Sequence, residues 1–260
     1  MKDLVKRPLT PVKPWLEWLV QREALCAAGW ASSAHRRLRS VQWGLPPVPE
    51  HFDHHIDLQH QWMRERNPLW VERGVFGGLA LKPGGAMLEL ACGDGFNARN
   101  FYSLRCREVV ACDFDPAAVN TARRKNSAPN VRFELADIRT AMPAGSFDNI
   151  VWDAAIEHFT PAEIEGVLRE IKARLRPGGV VSGYTITAGA GGQKHLVHHE
   201  YEFTDKADLQ RFLAPHFQRV TVFETVYPTR HNLYFWASDG TLPFDEDWPL
   251  AVRHRASGAP

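Results

Sequence analysis

Long apolar runs are missing from this sequence. The first apolar stretch, Trp15 to Val20, is broken by Glu17 and followed by Gln21-Arg22-Glu23. It is too short for a membrane span and too interrupted for a secretory leader, so neither integral membrane insertion nor export is expected. Cysteine is scarce: Cys26, Cys92, Cys106 and Cys112 are the whole complement, and none forms a C-x-x-C pair. That removes the usual cysteine frameworks for zinc and for thiol redox chemistry. Two of the four lie in apolar, strand-like stretches, where a reduced thiol packs as a small hydrophobe. A reducing, cytoplasmic setting is the matching expectation. An excess of one charge is also absent, with 31 Lys and Arg against 30 Asp and Glu. The chain as a whole therefore lacks the basic signature of a nucleic-acid binder. No internal repeat is visible, which excludes solenoid architectures.

What is present is unevenly placed. Residues 1–50 carry a net charge of +4 and the remainder −3. The first 14 residues hold Pro8, Pro11 and Pro14 and read as an extended basic arm. Trp15 to about Arg39 reads as a helix. Its Trp15, Trp18 and Trp30 fit a packing stripe or a membrane-surface or partner contact, and Arg36, Arg37 and Arg39 form a basic end. Pro46-Pro47-Val-Pro49 is a stiff linker. Three divisions follow: an N-terminal arm and helical extension over 1–50, a main domain over 51–242 and a tail over 243–260.

Phe52 to Trp70 reads as helical, interrupted at Pro68, and Lys82-Pro83-Gly84-Gly85 as a turn. A regular alternation then begins. Strands are expected over Ala86–Cys92, Glu108–Asp113, Val131–Ala136, Phe147–Ala155 and Val180–Thr187. Helices are expected over Asn97–Leu104, Pro116–Lys125, Ala162–Leu175 and Lys206–Leu213, the last with Thr204 as its N-cap. Arg219–Tyr227 and Asn232–Ala237 are separated only by Pro228-Thr229-Arg230-His231, too short for a helical crossover, so they must run antiparallel. The fold class is α/β: a seven-stranded, mostly parallel, doubly wound sheet with a C-terminal antiparallel hairpin and an N-terminal helical extension.

Gly93-x-Gly95-x-x-Ala98 fills the first strand-to-helix turn, where glycines let backbone N–H groups approach a ligand. Asp113 closes the second strand, placed to accept two ribose hydroxyls. This pair alone also fits a dinucleotide site, so an NAD(P)-dependent oxidoreductase stands as an alternative. Glu89 inside the first strand, Asp137-Ile138 closing the third and Arg176-Pro-Gly-Gly179 before the fifth extend the pattern. With the closing hairpin, the set resembles the class I (Rossmann-like) S-adenosylmethionine-dependent methyltransferases over roughly Leu81 to Asp239. The resemblance implies S-adenosyl-L-methionine as cofactor. It implies Glu89, Ala91, Cys92, Gly93 and Gly95 as the cofactor loop and Asp113 as the ribose acid. Phe114 stands against the adenine, with Asp137 and Ile138 on the adenine side. Asp153 opens the segment Asp153-Ala-Ala-Ile-Glu-His158 that borders the methyl group. Ala91 departs from the pattern, standing where many members have glycine; tighter packing is the expected consequence.

Methyl transfer to a hydroxyl needs a base in reach of the acceptor. His158 is the first choice, being just past the fourth strand, with Glu157 its competitor; a cap on the following helix is the alternative reading of His158. His195, His198, His199 and Glu200 form a second cluster behind the glycine-rich segment Gly189–Gly192, which reads as a lid loop. His199 joins the catalytic set, while His231 in the hairpin turn points to the same mouth. His51-x-x-His54-His55 and His195-x-x-His198-His199 both have ligand-like spacing, yet without a cysteine pair or H-E-x-x-H no metal is assigned. Trp62 and Arg64 are expected to close over the cofactor. The acceptor implied is a small molecule or glycan, in the manner of bacterial methyltransferases of surface-polysaccharide or natural-product pathways, by O-methylation with a small amine as the alternative. Nucleic acid is not expected, since the core has no basic stripe and no Asn-Pro-Pro-Tyr segment follows the fourth strand. A non-catalytic scaffold is disfavoured by the intact Glu89, Asp113 and Asp137.

Overall fold

A computed structural model of the protein describes residues 12–45, 51, 53–189 and 194–245. The basic arm before Val12, the Pro46–Pro49 linker, most of the Gly189–Gly192 loop and most of the C-terminal tail lie outside the described residues.

Seven strands form one sheet: β1 Ala86–Leu90, β2 Glu108–Asp113, β3 Val131–Leu135, β4 Phe147–Asp153, β5 Leu175–Ile186, β6 Arg219–Tyr227 and β7 Arg230–Ser238. Their order is β3-β2-β1-β4-β5-β7-β6. β1 to β5 are mutually parallel where they pair, and β7 enters antiparallel between β5 and β6. The expected fold class is the observed one. Helices α1 Lys13–Gly44, α2 His54–His60, α3 Leu69–Leu79, α4 Phe96–Asn100, α5 Pro116–Lys125, α6 Pro161–Arg174 and α7 Lys206–Leu213 complete the chain.

Both faces of the sheet are covered, and strand periodicity sorts side chains between them. Leu88, Leu90, Val110, Cys112, Ile150 and Trp152 face one core with α6 and α7. Met87, Val109, Ala111 and Val151 face the other, with α4 and α5. By the same alternation Glu89, Asp113 and Asp153 belong to the second face. Asp113 and Asp153 end β2 and β4, and Glu89 stands one residue before the end of β1 between them, at the carboxyl edge.

Several local readings need correction. The helix expected up to Trp70 divides: α2 runs into a π turn over Gln61–Glu65, and Arg66 takes a left-handed φ of 49°. Asn67 Oδ1 then accepts the Leu69 N–H at 2.9 Å, and α3 continues to Leu79. Pro68 therefore precedes a new helix instead of interrupting an old one. Asp205, not Thr204, caps α7, because its carboxylate accepts the Asp208 N–H at 2.9 Å. β5 starts at Leu175, so Arg176-Pro-Gly-Gly179 lies within the strand as an irregularity, with Gly178 at φ 71°. Trp15, Trp18 and Trp30 are 60%, 52% and 80% exposed, so they are neither core nor packing stripe within this chain.

Candidate active site

The glycine loop turns sharply because Ala91, Gly93 and Gly95 all take positive φ, at 54°, 55° and 75°. At Gly95 an added Cβ would fall 2.6 Å from the Phe133 ring, so this glycine serves packing against β3. At Gly93 a Cβ would meet only His51, 3.6 Å away, so the backbone there borders open space. Ala91 bears a side chain in a backbone region that costs an L-residue about 1–2 kcal/mol. Asp113 latches the loop: its carboxylate accepts the Gly93 and Asp115 N–H groups, each at 2.9 Å. Burial still raises its pKa.

Glu89 is 2% exposed, and its Oε2 has no hydrogen-bond partner among the described residues. Burial, and then Asp153, push its carboxyl well above the usual carboxylate range, with Arg73 opposing. Cys92 is likewise pushed up by burial, and its backbone N–H is held by the Cys112 carbonyl at 2.9 Å. Asp153 is buried under Arg73, which donates to it through Nε at 2.7 Å and lies 2.6 Å away through Nη2. Asn97 adds a third donor at 3.1 Å. Burial works against the Arg73 charge, but Asp153 outweighs it and raises the guanidinium pKa. The guanidinium also lies over the Trp70 and Tyr184 rings, at 4.7 and 5.1 Å.

The residues expected on the adenine side are placed differently from one another. Phe114 is 55% exposed beside the loop. Asp137 is half-buried just past β3 and ion-paired with Arg139, whose hydrogen bonds hold its pKa below the ordinary value. Ile138 is buried in the α6–α7 core, so its side chain is spent on packing.

The segment around α2 lies on the glycine loop through histidine contacts that the sequence did not reveal. His54 places Nδ1 2.7 Å from Asp94 Oδ1 and donates its backbone N–H to Oδ2 at 3.1 Å. These bonds hold Asp94 below its ordinary pKa although burial opposes them. His51 lies 3.4 Å from Asp115, and His55 is 3.0 Å from Asn126, whose amide donates to the Asp94 carbonyl at 2.7 Å. The first histidine cluster is thus committed to the loop. Trp62 is 65% exposed, and the Arg64 side chain lies outside the described residues.

Past β4, Ala154 takes φ 52° and a short 3-10 turn, Ile156–His158, follows. Helix α6 is capped by Thr160 and Glu163 in a reciprocal box, so His158 does not cap it. His158 Nδ1 lies 3.3 Å from the His198 carbonyl. A carbonyl only accepts, so Nδ1 carries the proton and Nε2 keeps its lone pair in the neutral ring. His199 Nδ1 is bonded to Glu202, and the two imidazoles meet edge to face at 4.8 Å. Glu157 is buried, accepting from the Thr185 hydroxyl at 2.9 Å. The structure therefore brings Glu157, His158 and His199 together. His198 and Glu200 are exposed, His195 pairs with Glu202 at 3.0 Å, and His231 pairs with Glu224 at 2.9 Å. Sequence reasoning missed Glu202, although its i+3 spacing from His199 was there to be read. A cavity of about 410 Å³ lined by Pro161, Ala162, Glu165, Tyr201, Arg211 and Phe212 takes no residue from the glycine loop.

Residues 87–179 match the family model described as "Methyltransferase domain". Ribosomal protein L11 methyltransferase of Burkholderia ambifaria is 27% identical over 132 residues, covering 51% of this chain and 40% of that protein. The chain thus matches well under half the length of that curated relative. Among solved structures, the N-methyltransferase NodS of Bradyrhizobium japonicum in complex with S-adenosyl-L-homocysteine superposes with a TM-score of 0.55. It is 17% identical, with 70% of this chain and 92% of NodS covered. Human N-acetylserotonin methyltransferase in complex with SAM gives 0.54 at 18% identity, over 82% and 67% of the two chains. Strand order and glycine loop give the chain the Rossmann-like fold of the class I methyltransferases.

Proposed function

We propose that the protein transfers a methyl group from S-adenosyl-L-methionine to a hydroxyl oxygen of a small molecule or glycan. The observation that carries this is the placement of Glu89, Asp113 and Asp153 on one sheet face at the ends of adjacent strands, with Glu89 Oε2 buried and unpartnered. A buried acid with a spare oxygen beside an open glycine backbone fits a nucleoside bearing a cationic amino-acid arm. When bound, the cofactor supplies an electrophilic methyl group on a sulfonium.

The chain's residues would divide the work. Ala91, Cys92, Gly93 and Gly95 present loop backbone, and Asp113 serves the ribose. Phe114 offers an exposed ring for the adenine, with Asp137 and the Ile138 backbone on its far side. Glu89 offers its unpartnered oxygen to the cationic arm, beside the Asp153–Arg73 pair. The acceptor's proton leaves at the Glu157–His158–His199 cluster, where the Nε2 lone pair of His158 is the first base. Excluding water and holding the acceptor in line supply the rest.

Differential scanning of the protein with S-adenosylhomocysteine and with NAD(H) tests the reading. At a hundredfold excess over Kd S-adenosylhomocysteine should stabilise by about 2.7 kcal/mol, a rise of roughly 5–10 °C for a domain of this size. NAD(H) should give none; the reverse would move the protein to the oxidoreductases. A screen of hydroxylated sugars and phenols would then identify the acceptor.

A further inference from the structure

We infer that Glu157, His158 and His199 bind a divalent transition-metal ion of zinc type at the acceptor side of the site. One ligand atom from each lies within 4.8 Å of the others. Tetrahedral zinc places its ligand atoms about 3.3 Å apart, so closure by about 1.5 Å completes the set. Two imidazoles and a carboxylate with a position left open form the donor set of hydrolytic zinc sites and of mononuclear iron sites.

The second observation is what stands behind each ligand. His199 Nδ1 is held by Glu202, a carboxylate that is itself buried. His158 Nδ1 is held by the His198 carbonyl at 3.3 Å, and Glu157 Oε2 by the Thr185 hydroxyl at 2.9 Å. Metal-bound histidines are oriented in this way, one ring nitrogen hydrogen-bonded so that the other keeps its lone pair for the ion. Among the described residues, His51, His54, His55, His195, His216 and His231 each face a carboxylate or amide but belong to no such group of three converging ligand atoms. Glu157 and His199 are buried while His158 stands at the rim, which leaves one open side for an acceptor oxygen.

This inference rests on the cluster being the acceptor side. With the ion in place, the bound hydroxyl gives its proton to solvent water at lowered pKa, its oxygen bonds the methyl carbon, and the C–S electron pair returns to sulfur. Without the ion, His158 Nε2 takes the proton.

The test uses the full chain, free of affinity tag and stripped of metal, titrated with Zn²⁺ and with Co²⁺. One ion per chain is expected, with the visible absorption of four-coordinate Co²⁺. His199→Ala and Glu157→Gln should abolish both signals. Glu202→Gln should weaken binding by about 10–100-fold, and His216→Ala should leave it unchanged. Circular dichroism confirms that each variant folds. Absence of binding in the wild type, or binding unaltered in His199→Ala and Glu157→Gln, overturns the site. Stabilisation by S-adenosylhomocysteine, measured on the same samples, reports separately on the methyltransferase reading: its presence with no metal bound sinks only the metal.

Discussion

Replacing Arg73 with Met would test how the carboxyl edge of the sheet is held. Arg73 and Asp153 are 8% and 5% exposed, and two guanidinium nitrogens lie within 2.7 Å of one carboxylate oxygen. Methionine keeps most of the side-chain volume between the Trp70 and Tyr184 rings but removes the charge. Asp153 would then retain only the Asn97 amide at 3.1 Å. Removing one partner of a buried pair costs about 3–5 kcal/mol, because the remaining charge has lost its compensation in a low-dielectric site. For a domain of this size that is a fall in Tm of roughly 6–20 °C. Glu89 would lose the one positive neighbour that restrains its pKa and rise further. Urea unfolding of the wild type, Arg73→Met, Asp153→Leu and the double variant closes a cycle. The double variant should recover much of the loss, since an apolar pair of similar volume tolerates burial. A loss below about 1 kcal/mol in Arg73→Met would mean the pair is effectively solvated, as surface pairs are, and the reasoning would fail.

Ala91→Gly should stabilise the protein. Relief at φ 54° is worth about 1 kcal/mol, from which about 0.5 kcal/mol of extra unfolded-chain entropy is subtracted; thermal unfolding measures the small net gain. Asp113→Ala should weaken S-adenosylhomocysteine binding in calorimetry, because it removes both the proposed ribose acid and the latch on Gly93. His158→Ala should lower turnover while leaving cofactor affinity largely intact; unchanged turnover would remove it from the acceptor side. Two carboxylates should titrate with opposite sign. Burial works to raise Glu202, but its bonds to His195 and His199 leave it below the ordinary 4.5. Its contribution is full above pH 4.5 and disappears as pH falls through the folded value, so Glu202→Gln should flatten the acid limb of the stability profile. Burial raises Glu89 well above 4.5, so its contribution is full below that pH and disappears as pH rises. Glu89→Gln should gain relative stability on the alkaline side.

The sheet was readable because its evidence is local. Short apolar runs in Ala86–Leu90 and Glu108–Asp113, bounded by turn residues, and a connection too short for a helix between β6 and β7, specify strands and directions without knowledge of neighbours. The alternation of side chains along a strand then carries Glu89, Asp113 and Asp153 to one face. What could not be read involves partners far apart in the chain. Arg73 meets Asp153 across 80 positions, and His54 meets Asp94 across 40, with no spacing rule linking either pair. α3 was hidden for a different reason: Pro68 serves equally to end one helix or to precede another, and the choice is made by Asn67 receiving the Leu69 N–H. The exposed tryptophans of α1 mislead in the opposite sense, since apolar content alone says nothing about which side of a helix finds a partner.

The buried contact between α1 and α2 bears on how this protein should be cut. His35 Nε2 stands 2.6 Å from Asp57 Oδ1 off the hydrogen-bond direction, and the Trp70 indole donates to the same carboxylate at 2.7 Å. A fragment begun at residue 51 would open that carboxylate to water and loosen the segment whose histidines grip Asp94 and Asp115. Trimming at the proline-rich stretch would therefore deliver a damaged glycine loop, not a minimal domain, and inactivity of such a fragment would say nothing about its chemistry.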